Sequence, residues 1–200
     1  MKSLLAAITL SLVSASTAMA FDAPTQAVIS SHKIGKPVAI AGVATLMQAS
    51  DRWCYLEEAG SCSWTDVYLS VDANGAAFEI RNAWDETRDI AFIDQGIFEN
   101  GKSICQTSTD WVSNVRGTLR ADGASINGRA LAGLKAEIAD VVGTATHDCF
   151  DYVYRGADER AQTITLLQRK AVDGVYATAE DTLVTLHFDP ATAAALTLRW

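Results

Sequence analysis

Between residues 65 and 105 the chain reads as a succession of β-rich runs, each followed by a turn signal. This rhythm constrains the fold more than any other feature. Thr65-Asp66-Val67-Tyr68-Leu69-Ser70-Val71 leads through Asp72-Ala73-Asn74-Gly75 into Ala77-Phe78-Glu79-Ile80-Arg81. Asn-Gly between such runs is a strong hairpin signal, because both residues tolerate positive φ. Asp89-Ile90-Ala91-Phe92-Ile93 reads as the next strand, and Glu99-Asn100-Gly101-Lys102 turns Gly96-Ile97-Phe98 back into Ser103-Ile104-Cys105. A further hairpin is expected at 118–126 around Asp122-Gly123. After Cys149 four more β-rich runs follow, at 150–154, 162–167, 182–188 and 196–200.

One segment breaks the pattern. Leu131, Leu134, Ile138, Val141 and Val142 recur with helical spacing and stop at Gly143, which predicts an amphipathic helix near 129–142. A second, short helix is expected at 108–115. The fold class that follows is α+β: a mainly antiparallel sheet of meander and hairpins, with one helix packed on it. No Pro- or Ser-rich linker divides the chain, so residues 21–200 are expected to form a single domain.

The first twenty residues read as a signal peptide: Lys2, an apolar run from Leu4 to Val13, and a small-residue stretch ending Ala18-Met19-Ala20. Cleavage after Ala20 would leave Phe21 as the new N-terminus of an exported, soluble protein, periplasmic or secreted. The next most apolar stretch, Val38 to Met47, spans ten residues, against roughly 20 for a transmembrane helix. No membrane-crossing helix is therefore expected after cleavage. A β-barrel of the outer-membrane kind is also disfavoured, because the cysteines, the helix and the charged strand positions do not suit one.

Four cysteines, Cys54, Cys62, Cys105 and Cys149, enter an oxidising compartment in such a protein, so two disulfides are expected. Four cysteines allow three connectivities. Cys54–Cys62, closing a small loop, with Cys105–Cys149 tying distant segments, is the preferred one. A metal site is not expected, because no Cys-x-x-Cys spacing occurs.

Without Lys2 the chain holds 15 basic against 24 acidic residues, a net charge of −9. A surface of that sign repels phosphate backbones, so nucleic acid is not an expected partner. Nucleotide-cradling glycine motifs and the Gly-x-Ser-x-Gly element are absent, and no cofactor is expected. Asp72-Ala73-Asn74-Gly75 starts like a calcium loop but lacks the required Glu, since residue 81 is Arg; a plain turn is expected there.

Two constellations remain. In the stretch from Arg52 to Trp64, the aromatics Trp53, Tyr55 and Trp64 flank Cys54 and Cys62. A disulfide-held loop presenting rigid rings suits a glycan, a small ligand or a protein partner, so these rings are candidate ligand contacts. The same rings packed into the sheet would be structural. The second constellation, His147, Asp148 and Asp151 with His187, has the residue types of a metal-dependent or hydrolytic enzyme, provided that the fold brings them together. The preferred function is a non-catalytic binding or interaction module, with that enzyme as the alternative. A scaffold subunit with exposed strand edges is a third class.

Overall fold

Alternating side chains in consecutive antiparallel strands give each strand one inner and one outer face. Here the inner faces close on themselves. The computed structural model describes residues 21–106, 108, 110–142 and 147–200; residues 1–20, which the sequence reading takes as a signal peptide, and Gly143 lie outside them. Eight strands form the barrel: β1 (Arg52–Tyr55), β2 (Trp64–Val71), β3 (Gly75–Ala83), β4 (Arg88–Glu99), β5 (Ser103–Gln106), β6 (Asp148–Asp158), β7 (Thr163–Val172) and β8 (Thr182–His187). Each pairs antiparallel with the next, and β8 returns to pair with β1. The expected meander is therefore present, and it closes into a barrel, which the strand-by-strand reading had not anticipated.

The turns differ in how they are made. Asn100 and Gly101 take positive φ, 53° and 64°, the pattern of a tight two-residue hairpin. Asn74-Gly75 does not. That turn is held by the Asp72 carboxylate, which accepts from the backbone N–H groups of Asn74 (2.7 Å) and Gly75 (3.1 Å). Gly75 is needed for a different reason: a Cβ there would lie 2.1 Å from the Gly96 carbonyl oxygen across the β3–β4 pair.

The wall has one thin seam. β4 pairs along its first part with Arg116–Leu119 and only at residues 97–99 with β5. β6 pairs with β5 only at 148–150, then with Pro37–Val38. The four residues of β5 thus bridge two long strands that otherwise diverge. The Cys105–Cys149 disulfide crosses this seam, between residues that pair directly. The second disulfide joins Cys54 on β1 to Cys62, so the connectivity is the preferred one. Cys62 belongs to a short strand, Ser61–Cys62, that pairs parallel with Thr197–Leu198.

Helices α1 (Ala23–Ser31) and α2 (Ile40–Ala49) cover one end of the barrel. Asp22 caps α1 by accepting from Thr25 N–H at 2.9 Å, with Pro24 in the first turn where its missing donor costs nothing. Ile40, Val43, Leu46 and Met47 of α2 are buried with Trp53, Leu166, Val184 and Leu186 in the main core. Phe21 joins this core, its ring edge-on to Phe188 at 5.1 Å.

Helix α3 (Gly128–Val142) lies where the seam diverges. Leu134 and Ile138 pack with Ile90, Phe92 and Val115 in a second core. Glu137 ties the helix down, accepting from Trp84 Nε1 (2.7 Å) and from both terminal nitrogens of Arg88 (3.0 Å each). Val141, expected on the buried stripe, is 70% exposed. The expected helix at 108–115 is a 3₁₀ turn, Asp110–Asn114, whose Trp111 stacks on Phe92 at 4.0 Å. The final run pairs only at Thr197–Leu198 and leaves Trp200 exposed, not docked in the core. No helix among the described residues is long and apolar enough to cross a membrane.

Candidate functional site

The half of the barrel away from α1 and α2 is not filled. A cavity of about 130 Å³ opens there, lined by inward positions of β1, β2, β3, β5, β6 and β7. The register explains which side chains meet. Tyr55 pairs with Trp64, Asp66 with Ile80, and Tyr68 with Phe78, and paired residues share a face. The rings of Tyr55 and Trp64 stack at 4.6 Å, 14° from parallel. Phe150 and Tyr152 complete the aromatic wall from β6, with Ile104 and Gln106 from β5 and Gln168 from β7. Trp64, Ile80, Gln106 and Phe150 are half-buried and form the mouth.

Inside this wall lies a carboxyl group, Asp66, only 5% exposed. Its Oδ2 accepts from Tyr55 Oη at 2.7 Å. Gln168 Nε2 donates to Tyr152 Oη at 3.1 Å and more weakly to Tyr55 Oη at 3.4 Å. Asp66 Oδ1 is buried and has no hydrogen-bond partner among the described residues. None of the described residues lining the cavity is basic. Burial pushes the Asp66 carboxyl up to about 7; the Tyr55 hydrogen bond opposes this and the Asp94 carboxylate adds to it. Asp94 is also raised by burial, against donation from Gln95 N–H and from Gln106 Nε2 at 2.7 Å. Burial likewise raises the Tyr55, Tyr68 and Tyr152 hydroxyls, so all three stay neutral donors at physiological pH.

Tyr55 and Trp64 thus reach the candidate site, but from inside the barrel and not from an exposed loop. Trp53 does not line the cavity. It is fully buried, edge-on to Tyr68 (5.1 Å) and Tyr152 (5.4 Å), with Nε1 donating to Ser50 Oγ at 2.7 Å. Strand alternation is the cause: on β1 the residues on either side of Cys54 point inward, while the disulfide lies outside. Trp53→Ala is expected to cost about 3–5 kcal/mol of stability, as for large aromatics removed from cores. Urea denaturation would check this; a cost under about 1 kcal/mol would exclude Trp53 from the core.

The His/Asp constellation does not assemble. Asp148 pairs with Val172 at one end of β7, and His187 with Thr163 at the other. The offset of nine positions along β7 corresponds to about 30 Å of strand. His147 bonds Glu99 (2.9 Å) beside the Cys105–Cys149 disulfide, and His187 bonds Glu57 (2.9 Å) beside Cys54–Cys62. With the sulfurs committed to disulfides, each cluster keeps one histidine and one carboxylate, where structural zinc takes four ligands. Asp151 faces outward and is neutralised. It accepts from Arg169 Nε (2.7 Å) and Nη2 (2.9 Å), from Tyr176 Oη, and pairs with Lys102 Nζ at 3.0 Å. Burial would raise its carboxyl, but these donors overcome that and hold it below the usual range. Asp148 is paired with Lys170 at 3.1 Å.

Sequence reasoning did not single out Asp66, Tyr68, Gln106, Phe150, Tyr152 or Gln168 as site residues. Their signal is a carboxylate in a run whose neighbours at two-residue spacing are aromatic: Trp64, Asp66, Tyr68. Comparison with known proteins finds no family model, curated protein or solved structure that matches the chain.

Proposed function

We propose that this is an exported binding protein that encloses a small organic molecule, or one end of a longer one, inside its barrel, without chemical transformation. The observation that carries the reading is the unpartnered Asp66 Oδ1 in an aromatic-walled cavity. A buried polar atom left unpaired costs roughly 1–3 kcal/mol, and nothing within the described fold recovers that cost. An eight-stranded barrel is just wide enough to be filled by side chains or to hold one small ligand. This barrel does the first over one half and leaves the other half hollow.

The cavity size sets the ligand. An apolar cavity of roughly 150 Å³ takes benzene, so about 130 Å³ takes around five or six non-hydrogen atoms. At a ceiling near −1.5 kcal/mol per atom for very small ligands, affinities weaker than about micromolar follow. Binding is therefore to be sought at millimolar concentrations. A panel of neutral, anionic and cationic fragments of this size, followed by backbone amide NMR shifts, tests the reading. Shifts are expected at Trp64, Gln106, Phe150 and Gln168, and are expected to vanish in Ile80→Trp, which fills the mouth. Shifts confined to the outer surface, or none with any fragment, would overturn it.

A further inference from the structure

A cavity with one unpaired acceptor asks for a donor, and the surrounding charge decides which kind. Every ionisable group facing Asp66 is an acid or a phenol: Asp94 from β4, Tyr55 from β1, Tyr68 from β2 and Tyr152 from β6. β5 and β7 contribute the amides Gln106 and Gln168, and β3 contributes Phe78 and Ile80. No cation among the described lining residues balances the carboxylate. An anion would meet the Asp66 carboxyl and no basic group among the described lining residues. A neutral donor would fill the hydrogen bond but leave the charge uncompensated. A protonated amine does both, and aromatic walls are a favourable surround for it.

We propose that the cavity receives the ammonium group of a small organic amine, with the Asp66 carboxylate in its wall supplying the counter-charge; this rests on the reading of the barrel as a binding cavity. The four-carbon scale of the cavity suits a short alkyl chain, and a longer chain would leave through the gap between Trp64, Ile80, Gln106 and Phe150. Binding to the carboxylate form drives a proton off Asp66. At about pH 7 and below, uptake of the amine is therefore accompanied by proton release, and affinity falls about tenfold for each pH unit of acidification.

The test compares two molecules of the same shape, isobutylamine and isobutanol, by calorimetric titration of the oxidised protein at about pH 8 and about pH 5 in buffers of different ionisation enthalpy. Both can donate to Asp66, and only the first is charged. At the higher pH the amine is expected to bind at least about tenfold more tightly than the alcohol. That advantage is expected to shrink at the lower pH, where the titration heat reports proton release, and to disappear in Asp66→Asn. Equal affinities, or an advantage that survives Asp66→Asn, would overturn the choice of ligand class while leaving the cavity a binding site. Failure of both molecules to bind would overturn this ligand class, and the fragment panel then decides separately whether the cavity binds anything.

Discussion

Asp66→Asn is expected to make the protein more stable by about 1–3 kcal/mol at about pH 8 and less stable by about 1–3 kcal/mol at about pH 4. In the folded protein burial holds this carboxyl at about 7, against an ordinary value of 3.8. The folded state therefore keeps its proton over a pH range in which the unfolded chain has released it. Stability falls as pH rises through that window, and the loss is complete once the folded carboxyl has ionised. Roughly three pH units at about 1.4 kcal/mol each give a loss on the order of 4 kcal/mol. Asparagine is neutral throughout and escapes it, although its amide donor, facing the cavity, returns roughly 1–3 kcal/mol of the gain. Urea denaturation of both proteins at both pH values measures the difference. Equal destabilisation by the substitution at both pH values would show Asp66 ionised and compensated in the fold.

Removing the seam disulfide is the second large effect. Cys105→Ser with Cys149→Ser is expected to cost about 4 kcal/mol, and Cys54→Ser with Cys62→Ser about 2–3 kcal/mol. The difference follows from sequence separations of 44 and 8 residues, because a longer closed loop removes more entropy from the unfolded chain. Position adds to it. The first bridge joins two strands that pair at only three positions, 148–150 against 104–106. Amide exchange at Ile104 and Phe150 is expected to accelerate well before exchange in β7, whose neighbours β6 and β8 pair with it over most of its length. A larger loss on removing the short-range bridge would show the seam to be held by α3 and the second core instead.

How far the sequence discloses this architecture can be seen strand by strand. The runs after residue 64 alternate, contain β-branched and aromatic residues and end at turn signals, so seven of the eight barrel strands are found, most of them with shorter bounds. β1 has only four residues and is hidden in a segment that stands out for its cysteines. Val172-Asp173-Gly174-Val175 makes a tight turn at positive φ (Asp173 49°, Gly174 82°), a local signal that went unread. Helix α1 carries the Asp22 cap but mixes apolar with polar residues, and α2 is uncapped and mostly apolar; both show as helices only once the barrel end they cover is known. Closure itself is a long-range event: β8 meets β1 across 130 residues, and no local period encodes that.

The site was less legible than the fold for a single physical reason. In β2, Val67 and Leu69 look like the buried face, and Asp66 and Tyr68 like the wet one. The barrel reverses that: Leu69 is 54% exposed and Asp66 is buried. Alternation reveals that a strand has two faces, and burial decides which of them is inside. The same parity carries Trp53 into the core and its disulfide neighbour outward. The four His/Asp residues, close in chemistry, are spread along strands that keep them apart.

The helical pair at one end of the barrel has a consequence for traffic. With Val43, Leu46 and Met47 seated in the core there, the hollow is a cul-de-sac and not a conduit. On the proposed binding reading, a guest enters and departs past the same four side chains, so anything that widens that doorway hastens arrival and escape together and leaves the equilibrium where it was. On that reading occupancy is set by the carboxylate in the wall of the pocket, and residence time by the rings at its threshold.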